Sequence, residues 1–100
     1  MPRPPETFPF TWRDLACRID HVRDHKIDGW SRLVLRLVSP RGAPLPVSEN
    51  GHHVVETEED KVVAAGGPVA YFTALLDREA LHPRYAQALF KWKQADLFGR

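Results

Sequence analysis

Histidine, cysteine and clustered acids are the residues of this sequence whose types and spacing could do chemistry. Cys17, His21 and His25 recur at every fourth position. On a helix that spacing stacks three metal-ligating side chains on one face, as zinc ligands stand. On a strand the same residues share a face but lie too far apart to converge on one ion, at about 3.3 Å per residue. His52-His53 adds two imidazoles without the CxxC or HExxH spacing of a metal site. Ser48 with Glu49 and His52 or His53 supplies the residue types of a hydrolytic triad, and Cys17 with a histidine those of a thiol enzyme. Neither set lies in a nucleophile-elbow context. Gly66-Gly67-Pro68 ahead of a helix has the form of an anion-binding turn, but it lacks the lysine of a P-loop and Pro68 removes an N–H donor. The expectation is no catalytic residue, no metal and no cofactor. A small metal-dependent or hydrolytic enzyme built on the histidines is the least favoured reading.

Contact chemistry is better represented. Trp12, Trp30, Trp92 and Tyr71 are numerous for the core of 100 residues, and tryptophan and arginine are enriched at interface hot spots. Trp30 beside Arg32, and Trp92 beside Lys91 and Lys93, are candidate exposed anchors. Trp12 suits a staple between sheet and helices. The acidic run of Glu56, Glu58, Glu59 and Asp60 is most simply a solvated connection. In a partner-binding reading, Glu58, Glu59 and Asp60 imitate the phosphates of a nucleic acid.

Few elements are available to position these residues. Residues 1–7 form an extended proline-rich arm, because proline blocks both helix and central strand. Trp12 to Asp24 has two readings. As a strand, Leu15, Cys17 and Ile19 alternate with Ala16, Arg18 and Asp20. As a helix, Thr11 and Asp14 make a possible capping box and Leu15, Ile19 and Val22 share a stripe. The thin helical stripe, and the clear strand that follows, favour the strand. After the Asp28-Gly29 turn signal, Leu33, Leu35 and Leu37 alternate with Val34, Arg36 and Val38 until Pro40 stops the run. Arg41 to Pro44 is a loop, and Leu45 to Thr57 reads as extended chain broken by a hairpin turn at Asn50-Gly51. Pro68 opens a helix with Val69, Phe72, Leu75 and Leu76 at helical spacing, which ends near Leu81 ahead of His82-Pro83. Pro83 opens a second helix with Tyr85, Ala86, Leu89 and Phe90 on its buried side. Strands over 8–57 followed by helices over 66–98 predict one α+β domain across 1–100. Its antiparallel sheet has about four strands, covered on one face by two C-terminal helices.

Three stretches carry a resemblance. Phe10-Thr11-Trp12-Arg13 opens the domain, Ala43-Pro44-Leu45-Pro46-Val47-Ser48-Glu49-Asn50-Gly51 lies in its middle, and Gly66-Gly67-Pro68-Val69-Ala70-Tyr71-Phe72 starts the helix. Together they resemble a family of small proteins found largely on proteobacterial plasmids and other mobile elements. In that family the middle motif runs P-L-P-I-T-E-T-G-Y, and here Val47, Ser48, Asn50 and His52 stand in place of its isoleucine, two threonines and tyrosine. The resemblance brings no catalytic residue and implies an accessory role on a mobile element. Separately, Gln94-Ala95-Asp96-Leu97-Phe98 resembles the short peptide by which bacterial replication and repair proteins bind the sliding clamp. The resemblance implies that Gln94 bonds at the rim of a cleft that Leu97 and Phe98 fill, with Asp96 between them. The pattern prefers a leucine where Ala95 stands, and the plain alternative is that Leu97 and Phe98 fold back as the last turn of the helix.

Composition bounds these readings. Hydrophobic content of 43% and charged content of 27% are those of an ordinary globular chain. A net charge of +1 argues against direct electrostatic binding of nucleic acid, which calls for a basic stripe. The one cysteine excludes an intrachain disulfide and fits a reducing compartment. No apolar run approaches the roughly 20 residues that span a bilayer, and Met1 to Pro5 lacks a signal-peptide core. The expectation is a cytoplasmic, non-enzymatic, mobile-element protein that contacts a host protein or ribonucleoprotein complex: the sliding clamp through its tail, or alternatively a host defence complex that it inhibits.

Overall fold

Every second residue from Phe8 to Trp12 is aromatic, and a second two-residue series runs through Leu15, Cys17 and Ile19. That period sends successive side chains to opposite faces of extended chain. In the computed structural model, which describes residues 4–97, the stretch forms two strands. β1 (Glu6–Trp12) and β2 (Leu15–Arg23) are joined by Arg13 and Asp14, at φ of 46° and 67°. Two successive positive φ values are the type I′ geometry, whose twist matches that of the flanking strands. The strand expected over Trp12 to Asp24 is therefore β2, with Trp12 and the turn split from it; Arg-Asp is not the Asn-Gly signal that marks such turns. Glu6 and Thr7, expected in the arm, already pair with His21 and Asp20.

β3 (Trp30–Ser39) and β4 (His52–Glu58) complete an antiparallel sheet in the order β1-β2-β3-β4. α1 (Glu59–Ala65), α2 (Pro68–Glu79) and α3 (Pro83–Leu97) follow, so strands precede helices as expected. α1 corrects the reading of the acidic run as a plain connection. Glu59 and Asp60 occupy its first turn, where acidic side chains oppose the helix dipole. Val62 is buried, and Gly66 closes the helix at φ 105° with its N–H turned back on the last carbonyls. Seven residues are too few for helical periodicity to show.

Leu45 to Asn50 is the second correction. Only His52–Glu58 of the expected extended chain is a strand. Leu45 and Ser48 exchange N–H···O bonds of 2.9 and 3.0 Å and close a turn on themselves, and the flanking Pro44 and Pro46 have no N–H for a ladder. Gly51 lies beneath Leu37, where a Cβ would come within 3.0 Å of the Leu37 Cβ.

The inner face of the sheet carries Trp12, Leu15, Cys17, Ile19, Leu33 and Leu35. α2 lays Phe72 and Leu76 on it, both fully buried, each stabilising the fold by roughly 2–3 kcal/mol. α3 touches this body along one stripe. Tyr85 is buried with its ring 5.8 Å from that of Trp12, and Leu89 and Trp92 are half-buried. Ala86 and Phe90, expected on the buried side, are exposed, Phe90 to 63%. They lie off the narrow i, i+4, i+7 stripe that meets the sheet. Among the described residues no helix is long and apolar enough to cross a membrane.

Candidate functional site

The turn from β2 into β3 presents an aliphatic and an indole side chain to solvent. Asp24 and Lys26 adopt φ of 55° and 67°, Gly29 84°. Asp24 and Lys26, being non-glycine residues, hold a conformation that costs of order 1 kcal/mol each. The turn is fixed by its own bonds: His25 N–H to the Trp30 carbonyl at 3.0 Å, Trp30 N–H to the Ile27 carbonyl at 3.1 Å, and Gly29 N–H to Asp24 Oδ1 at 3.0 Å. Ile27 is thereby 62% exposed and Trp30 39%. They border a recess of about 200 Å³ with His25, Lys26, Ser31 and Glu56. Glu56 Oε1 lies 3.7 Å from Arg32 Nη1, 3.8 Å from His25 Nε2 and 3.9 Å from Lys26 Nζ. Exposed pairs of this kind add little stability. Their consequence is a cationic rim, with one shared carboxylate, around an aliphatic and an indole. The expected anchors Trp30 and Arg32 are thus brought together.

Below that recess lies a polar cluster that the sequence reading misses. His21 is buried in β2, Ser31 is buried in β3, and Glu59 reaches them from the first turn of α1. His21 Nε2 is 3.1 Å from Ser31 Oγ and 3.0 Å from Glu59 Oε2, and the Ser31 hydroxyl donates to the same carboxylate oxygen. Arg23 Nε stands 3.3 Å from Glu6 Oε1 and 3.9 Å from Glu59 Oε1. Residue types alone suggest a serine–histidine–glutamate relay, but a relay places base and orienter on opposite ring nitrogens. Here both partners meet Nε2, while Nδ1 is buried with no hydrogen-bond partner among the described residues. The geometry ties α1 to the polar end of the sheet. The phase of the strands carried the signal: His21 continues the inward series of Cys17 and Ile19, and Ser31 that of Leu33.

Glu59 is therefore turned inward and is not part of an exposed acidic surface. Glu56 lies within ion-pair distance of Arg32 and Lys26 and beside His25, which among the described residues leaves Glu58 and Asp60 as the exposed, unengaged members of the run. Trp12 donates its indole N–H to Asp77 Oδ1 at 2.8 Å, and the Arg13 guanidinium lies 4.7 Å from its ring centre. Trp92 is half-buried against the core, with Lys91 and Lys93 exposed. Gln94 is exposed on α3; Asp96 and Leu97 lie in the helix with side chains outside the described residues, as Phe98 is altogether.

The other chemical candidates are dispersed. Cys17 faces the core, where burial pushes its thiol pKa up. Ser48 and Asn50 serve the loop, where the His52 backbone N–H donates to Asn50 Oδ1 at 3.1 Å. His53 lies on the inner face opposite Leu35, and burial lowers its pKa, with His52 acting in the same sense and Glu79 against it. Gly66 caps α1 and Gly67 leads into α2. Among the described residues no group of three or more His, Cys, Asp or Glu side chains could hold a metal ion. A second hollow, of about 240 Å³, separates the Leu45–Glu49 turn from Arg84, Tyr85 and Ala88 of α3.

No curated protein and no solved structure matches the chain. The model of the KlcB third domain matches residues 5–85, from the approach to β1 to the first turn of α3, and so takes in the apolar tip and the buried cluster but not Gln94 to Phe98. The chain belongs to the KlcB third-domain family, a plasmid-associated family.

Proposed function

We propose that the domain is a non-enzymatic protein-binding module of a plasmid-encoded accessory protein, acting by contact on a host protein through Ile27, Trp30 and Arg32. The observation that carries the reading is the exposure of Ile27 and Trp30 on a turn locked by its own hydrogen bonds. A rigid aromatic anchor beside an arginine is the composition of an interface hot spot, because little conformational freedom remains to be lost on docking. The test is a photo-cross-linking residue at position 26 in host cells carrying the plasmid. A discrete adduct that Trp30→Ala abolishes supports the reading; an adduct pattern equal to that of an exposed control position opposes it.

A second reading draws on α3. Gln94 is exposed, and Phe90 lies one turn before it on the same side of the helix, 63% exposed. In this reading the C-terminal segment engages the sliding clamp, with Leu97 and Phe98 entering its cleft. Titration of purified clamp with the full chain should give saturable binding that removal of residues 94–100 abolishes. Binding unaffected by that removal overturns this form.

A further inference from the structure

The two edges of the sheet are built differently. β1 carries Pro9, which has no N–H to offer a further strand. β4 reads His-His-Val-Val-Glu-Thr-Glu, with neither proline nor glycine. Its ladder phase is fixed at both ends: Leu37 N–H donates to the Gly51 carbonyl at 2.8 Å, and Glu59 N–H to the Gly29 carbonyl at 2.7 Å. Hydrogen-bonded pairs alternate along an antiparallel ladder. His53, Val55 and Thr57 therefore bond towards β3, and His52, Val54, Glu56 and Glu58 turn their backbone groups outward. The His52 N–H obeys this phase, being taken by Asn50. Those of Val54, Glu56 and Glu58 face an open edge, which native sheets ordinarily guard.

We propose that β4 pairs antiparallel with β4 of a second copy of this chain, in the register centred on Val55. Charge complementarity selects the occupant, and the register follows: centring on Val54 would set His52 against Glu56, which Lys26 and Arg32 already engage. In that register the outward backbone groups of Val54 bond those of Glu56 of the partner copy, and Val55 faces its own equivalent. His52 stands opposite Glu58 of the partner copy, twice by symmetry, so an imidazole N–H meets an exposed carboxylate that makes no ion pair among the described residues. Centring the pairing on Glu56 would set Glu56 opposite itself, and like charges directly opposite are destabilising. A two-fold pairing is self-complementary and closes, so it yields a dimer and not a fibre.

Sedimentation velocity of the full chain over a wide concentration range tests this. The mass should climb from 11.4 kDa towards twice that value. Val54→Pro removes an outward N–H without touching the β3 ladder and should hold the chain monomeric, with its near-ultraviolet tryptophan signal unchanged. Glu58→Lys should weaken the dimer about tenfold, and the exchange His52→Glu with Glu58→Lys should restore it. A chain that stays monomeric throughout overturns the proposal. So does a folded Val54→Pro variant that dimerises like the parent, or an unchanged dissociation constant for Glu58→Lys. Were Val54→Pro to unfold, the charge exchange decides alone.

Discussion

The indole N–H of Trp12 donates to Asp77 Oδ1 at 2.8 Å, joining the end of β1 to the last turns of α2 across 65 residues of chain. Trp12 is 4% exposed, so its donor has lost water and depends on this carboxylate. Asp77→Ala should cost about 1–2 kcal/mol, the penalty for a buried donor left without an acceptor. In a domain of this size each kcal/mol corresponds to roughly 4–8 °C in Tm. Asp77→Asn keeps a carbonyl acceptor and should recover most of the loss. Thermal denaturation of the two variants checks the difference.

Glu59 is the second structural test. Its removal leaves the Ser31 hydroxyl and the His21 imidazole facing each other in the interior with no carboxylate. Glu59→Ala should destabilise by about 2–3 kcal/mol, as hydrogen bonds to charged groups do. Asp60→Ala, one residue on and exposed, should fall within about 0.5 kcal/mol of the parent. Urea titration separates them, and equal effects would contradict the inward placement of Glu59.

Cys17 should behave as an inert thiol. It is 2% exposed and its pKa is raised by burial, so little thiolate forms and little of it is reachable. Ellman's reagent at pH 8 should react only as the chain unfolds, and prompt stoichiometric reaction of folded protein would contradict the core position. The folded state prefers the protonated thiol, so this group contributes stability that is present below pH 9.0 and lost as pH rises through the higher folded value.

His53 sets the opposite slope. Burial lowers its pKa from 6.5, so below that value the unfolded chain takes up a proton that the folded chain resists. Its contribution is present above pH 6.5 and is lost as pH falls through the folded value. His53→Gln should flatten that acid-side loss in denaturant midpoints measured between pH 7.5 and 5, and an unchanged slope would assign it to other groups.

The sequence announced what its periods encode. Alternation at Leu15, Cys17 and Ile19 and at Leu33, Leu35 and Leu37 gave two strands, and Pro68 and Pro83 gave two helix starts. The remainder lacked a local signal. The Arg13-Asp14 turn lacks the Asn-Gly signal of its type, and α1 is shorter than two helical repeats. The His21–Ser31–Glu59 cluster joins three elements, and only the inward phase of its two strand members was legible. Trp30 and Arg32 were recognisable as contact residues by type. The exposure of Ile27 beside them depends on how Asp24 and Lys26 turn the chain, which composition does not disclose.

The protein contact proposed at the Ile27–Trp30 tip can be read in host cells. The most direct measurement is the mass of adducts formed by a photo-cross-linking residue at position 26 in host cells carrying the plasmid, compared with the Trp30→Ala chain. One discrete adduct with a host protein is expected, of a mass other than twice that of this chain, and it should disappear when Trp30 is removed. An adduct only at twice the chain's mass, or a host adduct that persists without Trp30, would contradict it.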